Sequence, residues 1–361
     1  MELLRDWFKR SFSDPQVVIL GVVLLAFFAV VIGLGAWLAP MFASIVIAYL
    51  LEAVVGRLQR LGLPRMLAVI IVFLLFMTLF VFLLFGLIPL VSRQLTQLVQ
   101  QMPNYISQGQ ELLKGLPAAY PDLISVTQVE GMIGQLGEEA ANLGQRLLGW
   151  SLASVASLIA LVVYLVLVPV LVFFLLKDKA QIIGWVTNRL PEERSLVNRV
   201  WSESEVQIAN YVRGKAVEII IVGAVTYITF MVLGLQYAAL LATLVGFSVL
   251  IPYVGAAVVT VPIALVAYFQ FGWGWDFGQV MIAYAIIQAL DGNLLVPLLF
   301  SEVVNLHPVA IILAILVFGG LWGFWGIFFA IPLATFVKAV INAWPSNVKG
   351  DAGTEPEPES S

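Results

Sequence analysis

Cysteine is absent from this 361-residue chain, histidine occurs once, at His307, and only 11% of the residues are charged. The lack of cysteine excludes disulfide scaffolds, thiol nucleophiles and iron–sulfur sites. With a single histidine it also excludes zinc sites built on Cys or several His. A metal site made of carboxylates alone stays formally open, but the acids do not cluster in the apolar stretches, and neither a metal nor a cofactor is expected. There is no P-loop, so an ATP-driven pump within the chain is not expected. Gly246-Phe247-Ser248-Val249 lacks the second glycine of a nucleophile elbow and has no base beside it. Asp291-Gly292 has no second aspartate at membrane depth for an aspartyl dyad. The reading is of a chain that is not an enzyme. The formal charge is −4, and the basic residues lie in clusters beside apolar spans rather than on one face. Nucleic acid is therefore not an expected partner.

What is present is apolar. A soluble globular protein carries about 25% charged residues; here 61% of the residues are apolar and the mean hydropathy is +1.01. A soluble core cannot hide that much apolar surface, so membrane lipid is the expected surrounding. Behind a short basic segment (residues 1–16) with Arg5, Lys9 and Arg10, residues 17–39 run 23 positions without a polar side chain. At 1.5 Å per residue that is roughly 34 Å, enough for a bilayer core of about 30 Å. It is also longer than the apolar region of a signal peptide, about 7–15 residues, and it predicts a retained transmembrane helix. Residues 42–55 predict a second, shorter span, and residues 66–91, uncharged, a third. Residues 92–150 differ in kind. They are rich in Gln and Gly, punctuated by Pro103, Pro117 and Pro121, and carry five acids. Thr127 and Glu130 have capping-box spacing. A small insert of amphipathic helices outside the bilayer, or lying on its surface, is expected. Residues 151–176 predict a fourth span and residues 177–215 a solvated helical loop with seven Lys/Arg and five acids. Residues 216–343 hold the remaining apolar stretches. The Pro/Glu/Ser tail within 344–361 has a composition that predicts disorder.

Basic residues favour the cytoplasmic side. With the N-terminus inside, two spans return the Arg57, Arg60, Arg65 cluster inside, the third sends the insert out, and the fourth brings the 177–215 loop back. Lys338 and Lys349 suggest a cytoplasmic C-terminus, so an even number of crossings is expected between Lys215 and Lys338.

Residues 216–337 contain no Lys or Arg and are interrupted three times. The first break is Ile251-Pro252-Tyr253-Val254-Gly255, followed by Pro262. The second is Gln288-Ala289-Leu290-Asp291-Gly292-Asn293, followed by Pro297. The third runs from Gly319 through Gly323 to Gly326, followed by Pro332. Irregular backbone at membrane depth is tolerated only inside protein or beside water, and paired Gly/Pro-interrupted segments point to a transport site. Gly255/Pro262 and Gly326/Pro332 share a loose form: two re-entrant hairpins of an internal repeat, or two kinked helices. Asp291 is the sharpest residue, since a carboxylate at mid-bilayer costs roughly 2.5–3.5 kcal/mol. Gln288 and Asn293 could solvate it. It reads either as a proton- or cation-linked site or as a structural acid at a helix end. His307-Pro308 opens the last apolar run, and His307 is a proton relay or an interface residue. Glu218, beside Arg213 and Lys215, reads as half of an ion pair at the membrane edge. Gly319 and Gly323 have the spacing of close helix packing.

Specific strings carry a family resemblance. They are Phe173-Phe174-Leu175-Leu176-Lys177-Asp178, Tyr211-Val212-Arg213-Gly214-Lys215, Gly246-Phe247-Ser248-Val249-Leu250-Ile251-Pro252-Tyr253-Val254-Gly255, Gln288-Ala289-Leu290-Asp291-Gly292-Asn293 with Pro297, Asn305-Leu306-His307-Pro308, and the stretch 319–332. In these the chain resembles the autoinducer-2 exporter-like family of bacterial permeases. The resemblance implies an all-α, multi-pass inner-membrane permease with about eight hydrophobic spans and broken or re-entrant helices in the C-terminal half. It also implies a homo-oligomer, with a pentamer as the expected assembly. The leading expectation is a secondary exporter of a small molecule driven by a proton or sodium gradient. Its solute would bind near Pro252, Tyr253 and Gly255 and near Gln288, Asp291 and Asn293, between two broken hairpins. A channel or passive facilitator, a cation/proton antiporter, and a non-transporting scaffold that binds a partner through the insert are the rivals.

Overall fold

The computed structural model describes residues 15–119, 131, 134, 155–189, 195–252, 254–300 and 306–343. The Thr127/Glu130 pair, Tyr253 and the tail from residue 344 lie outside them. The described chain is helical: α1 (Pro15–Arg60), α2 (Arg65–Phe82), α3 (Ile88–Ala119), α4 (Val155–Lys177), α5 (Lys179–Thr187), α6 (Ser195–Val232), α7 (Ala238–Ser248), α8 (Val254–Phe271), α9 (Trp275–Leu290), α10 (Val296–Phe300), α11 (Pro308–Trp322), α12 (Phe324–Phe328) and α13 (Ala330–Ala343). Among the described residues five helical stretches are long and apolar enough to cross a membrane: Leu38–Arg60, Arg65–Glu111, Val200–Val232, Val254–Phe271 and Trp275–Phe300. Shorter apolar helices accompany them. The chain is thus a polytopic, all-α membrane protein.

Two expectations about the N-terminal half change. The spans expected at residues 17–39 and 42–55 form one 46-residue helix, α1, with Pro40 inside it. A proline removes one ladder donor and kinks a helix, but Ala36 to Phe42 hold nothing polar or flexible to make a turn. The return of the chain between two spans, on which the expected orientation of Arg57–Arg65 depended, is not there. The helix beginning at Arg65 also runs on past residue 91, where the expected span ends and the expected insert begins. A π turn, Leu83–Leu87, joins α2 directly to α3, so the first part of the expected insert continues a membrane helix. Its amphipathic character is real: Val91, Leu95 and Leu98 pack on the core of α6–α9, and Tyr105 stacks on Phe269 with ring centroids 4.8 Å apart.

The described residues fall into two compact units, one within Ala36–Gly184 and Ala209–Val303, the other within Met1–Gly35, Trp185–Ile208 and Val304–Ser361. The larger unit has two apolar cores. One joins α1, α2 and α4 around Val55, Val69, Val72 and Val172. The other joins α6, α7, α8 and α9 around Phe230, Leu241, Ile263 and Tyr284. In the smaller unit, Val200 packs with Ala339, Phe336 and Val340.

The first and third sequence breaks interrupt helices by the same device. At 11 residues, α7 is roughly 16 Å long and cannot cross a bilayer. The chain turns through Val249 to Pro252, and Gly255 then rests on the carbonyl of Ser248, so close that a Cβ would overlap it. In the smaller unit α11 ends at Gly323, at φ 58. Gly326 rests on the carbonyl of Phe318 in the same overlapping way, and Gly319 faces Ile327. Each glycine lets the chain fold back on the end of the helix it has just left. Pro262 and Pro332 then lie inside the returning helices α8 and α13. The second break is not a break. Trp275–Phe300 is continuous and passes through a π turn, Asp291–Leu295.

Candidate functional site

The π turn has a local cause. Pro297 cannot donate to Asn293, and its ring would press on that carbonyl in an α-helix. One residue of extra winding relieves this: the Val296 N–H donates to Asp291 O, five residues back. Within the turn the Asn293 side chain adds a bond of its own, donating from Nδ2 to Ala289 O at 2.8 Å. Asn293 thus braces the helix, and Gly292, beside it, has open space around its Cα. Single π turns of this kind recur at functional sites.

Lys215 and Glu218 face this region from α6. They are three residues apart and therefore on one face. Lys215 Nζ lies 2.8 Å from Glu218 Oε2 and bonds Oε1 at 3.0 Å. The side chains are 6% and 2% exposed. Lys215 also donates to Val249 O at 2.8 Å, placing a cation on the C-terminal end of α7, where the helix dipole favours it. Its ammonium stands 5.2 Å from the centre of the Phe300 ring. Phe300 reaches it because Gly214 has no Cβ; one would meet Phe300 Cε1 at 2.6 Å. One lysine thus joins α6, the turn of the first hairpin and the end of α10.

Asp291, on the π turn, is the second carboxylate in electrostatic reach of Lys215, though no ion pair joins the two among the described residues. Its Oδ1 is buried and has no hydrogen-bond partner among the described residues, and the same holds for Gln288 Nε2, one turn earlier on α9. Arg213 is turned elsewhere, with its guanidinium 5.1 Å from the centre of the Tyr49 ring. Among the described residues the centre therefore sets one cation against two carboxylates. Desolvated charge is costly unless paired, so a centre with both acids ionised has room for one more positive charge.

The expected site residues divide accordingly. Gln288, Asp291 and Asn293 share the π-turn region, and Pro252 and Gly255 belong to the turn after Val249, the residue that Lys215 holds. Tyr253 is outside the described residues. His307 lies in the smaller unit, where it is exposed and caps α11, its Nδ1 accepting from the Val309 N–H at 3.3 Å. Gly319, Gly323, Gly326 and Pro332 belong with it. The Lys215–Glu218 pair exists as expected, but it is buried in protein. Sequence reasoning left Lys215 at the end of a charged loop. The signal that marks it is Lys-x-x-Glu spacing at the mouth of an uncharged run.

The AI-2E family transporter model matches residues 19–346. The chain belongs to this family. Within it, the "Putative permease PerM" of Escherichia coli strain K12 is 48% identical over 345 residues, covering 96% of this chain and 98% of that protein. The "Putative transport protein YueF" of Bacillus subtilis is 28% identical over 309 residues, covering 83% and 82%. The AI-2E match spans both compact units, so hairpins, π turn and buried centre all belong to the family region.

Proposed function

We propose that this AI-2E family member is a gradient-driven secondary transporter that exports a small polar solute from the bacterial cytoplasm across the inner membrane, as a homo-oligomer. The observation that carries the coupling is the charge count of the buried centre. Lys215 pairs with Glu218, and the unpartnered Oδ1 of Asp291 is the place where a proton or a sodium ion supplies the missing positive charge. Lys215 also holds Val249 O, so a change at Asp291 is felt at the turn of a hairpin too short to span the bilayer. Loading and unloading the ion would shift that turn between two arrangements. Broken helices of this kind are how transporters bring backbone to a midplane site.

The test is an untargeted comparison of the metabolites in vesicles with and without the protein, under an imposed proton gradient and then a sodium gradient. The reading predicts at least one solute whose distribution depends on both protein and gradient. A solute that equilibrates through the protein equally with and without either gradient would replace it with a passive facilitator.

A further inference from the structure

A second feature of the larger unit takes no part in the buried centre. Gln94, Gln97, Gln100 and Gln101 lie on α3 within about a third of its circumference, given about 100° per residue. With Gln236 and Tyr237, just before α7, they line a cleft of about 370 Å³. That volume falls at the small end of the roughly 300–1,000 Å³ typical of ligand sites.

The cleft is held by its surroundings. Val91, Leu95 and Leu98 on the adjacent face of α3 pack on the core. The Gln94 Oε1 accepts from the Leu240 N–H at 2.8 Å. Gln270 accepts from the Gln236 N–H at 2.7 Å and donates to Gly234 O at 2.8 Å. Tyr237 sits at φ 57, a left-handed conformation uncommon for a bulky residue, so the chain enters α7 through a fixed turn that presents Gln236 and Tyr237 together.

The chemistry narrows the ligand. Among the described residues no Lys, Arg, His, Asp or Glu lines the cleft, so neither a cation nor an anion finds a charged partner among them. The amides of Gln236 and Leu240 at the start of α7 are already bonded to glutamine side chains, which weakens the usual attraction of a helix N-terminus for anions. What remains are the side-chain amides of the glutamines, which both donate and accept; the Tyr237 phenol is already engaged with Tyr105. Gln97, Gln100, Gln101 and Gln236 are exposed and project these groups into the cleft.

We infer that this glutamine cleft binds an uncharged solute bearing several hydroxyl or amide groups. The inference rests on the transport reading only in taking that solute to be of the class carried. Binding itself is read at equilibrium, without a gradient. The full chain in lipid nanodiscs is dialysed against radiolabelled sorbitol and D-ribose as neutral probes, and against citrate and putrescine as charged ones. Saturable binding of a neutral probe and none of the charged probes is expected. Gln97→Leu with Gln101→Leu should weaken it about tenfold, the loss of roughly one or two hydrogen bonds, with no change in melting temperature because both side chains are exposed. Asp291→Asn should leave it intact. The inference is overturned if neither neutral probe binds saturably, if a charged probe binds as well, or if the double substitution changes nothing. Binding lost in the glutamine variant with gradient dependence retained elsewhere, and coupling lost in Asp291→Asn with binding retained, separate the failure of one reading from that of the other.

Discussion

The larger unit holds two charged centres built from the same parts and set up in opposite ways. In the first, Arg65 meets both oxygens of Glu52, at 3.3 and 3.4 Å, and donates to Leu176 O near the end of α4 at 2.8 Å. Lys179 adds a second cation to Glu52 at 3.2 Å. In the second, Lys215 meets Glu218 and donates to Val249 O at the end of α7, with Asp291 as a second acid. Each centre thus ties a basic side chain to a helix C-terminus. The first has two cations to one carboxylate and is open, with Arg65 37% and Lys179 47% exposed. The second has one cation to two carboxylates; Lys215 and Glu218 are almost wholly buried and Asp291 is half-buried. Water and counterions can balance the first; in the second the Lys215–Glu218 pair must be balanced from within the protein. The difference separates a latch from a site able to take up an ion.

The comparison breaks most readily at Lys215. Lys215→Met should leave Glu218 buried and unpaired and destabilise the protein by about 3–5 kcal/mol, whereas Lys215→Met with Glu218→Leu should recover most of that. Thermal unfolding in detergent reads both. Equal damage in single and double variants would mean that the lysine acts through packing alone.

Next in size is the hairpin glycine. Gly255→Ala forces a methyl group against the Ser248 carbonyl and should cost about 1–3 kcal/mol, measured by the same unfolding. Gly326→Ala should do likewise against Phe318. Gly292→Ala, in open space, serves as the control and should be nearly neutral. If all three behave alike, the two hairpins do not share the close approach described for them.

Much of this was legible in the sequence. The apolar runs located the membrane helices, and Gly255 and Gly326 stood out by their spacing to Pro262 and Pro332. Asp291 stood out as a carboxylate in a stretch without Lys or Arg. Other features were hidden for physical reasons. Residues 17–39 and 42–55 read as two spans, yet no residue around Pro40 makes a turn and one helix runs through it. Pro297 reads as a break, yet a π turn absorbs it and the Asn293 side chain bonds back to Ala289 O. Lys215 adjoins six other basic residues of a polar stretch, and only its reach to Val249 O, 34 residues on, brings it into the core. The glutamines of α3 read as solvated because their cleft is completed by residues more than 130 positions away.

Smaller effects sharpen the contrast. Asn293→Ala should cost about 1 kcal/mol, the net worth of its bond to Ala289 O, and more wherever that carbonyl is kept from water. Arg65→Ala should cost only about 0.2–1 kcal/mol for its exposed ion pair, an effect that shrinks as salt is raised, apart from the lost contact with Leu176 O. A salt-independent loss of several kcal/mol at Arg65 would make the two centres alike.

The most direct measurement is gradient-dependent solute redistribution in vesicles carrying either the parent protein or Asp291→Asn. Asparagine keeps the shape and removes the second carboxylate, leaving Lys215 and Glu218 balanced without an incoming ion. The account predicts that Asp291→Asn folds with an unchanged or higher melting temperature and no longer redistributes any solute in response to the gradient. Redistribution equal to that of the parent would contradict it.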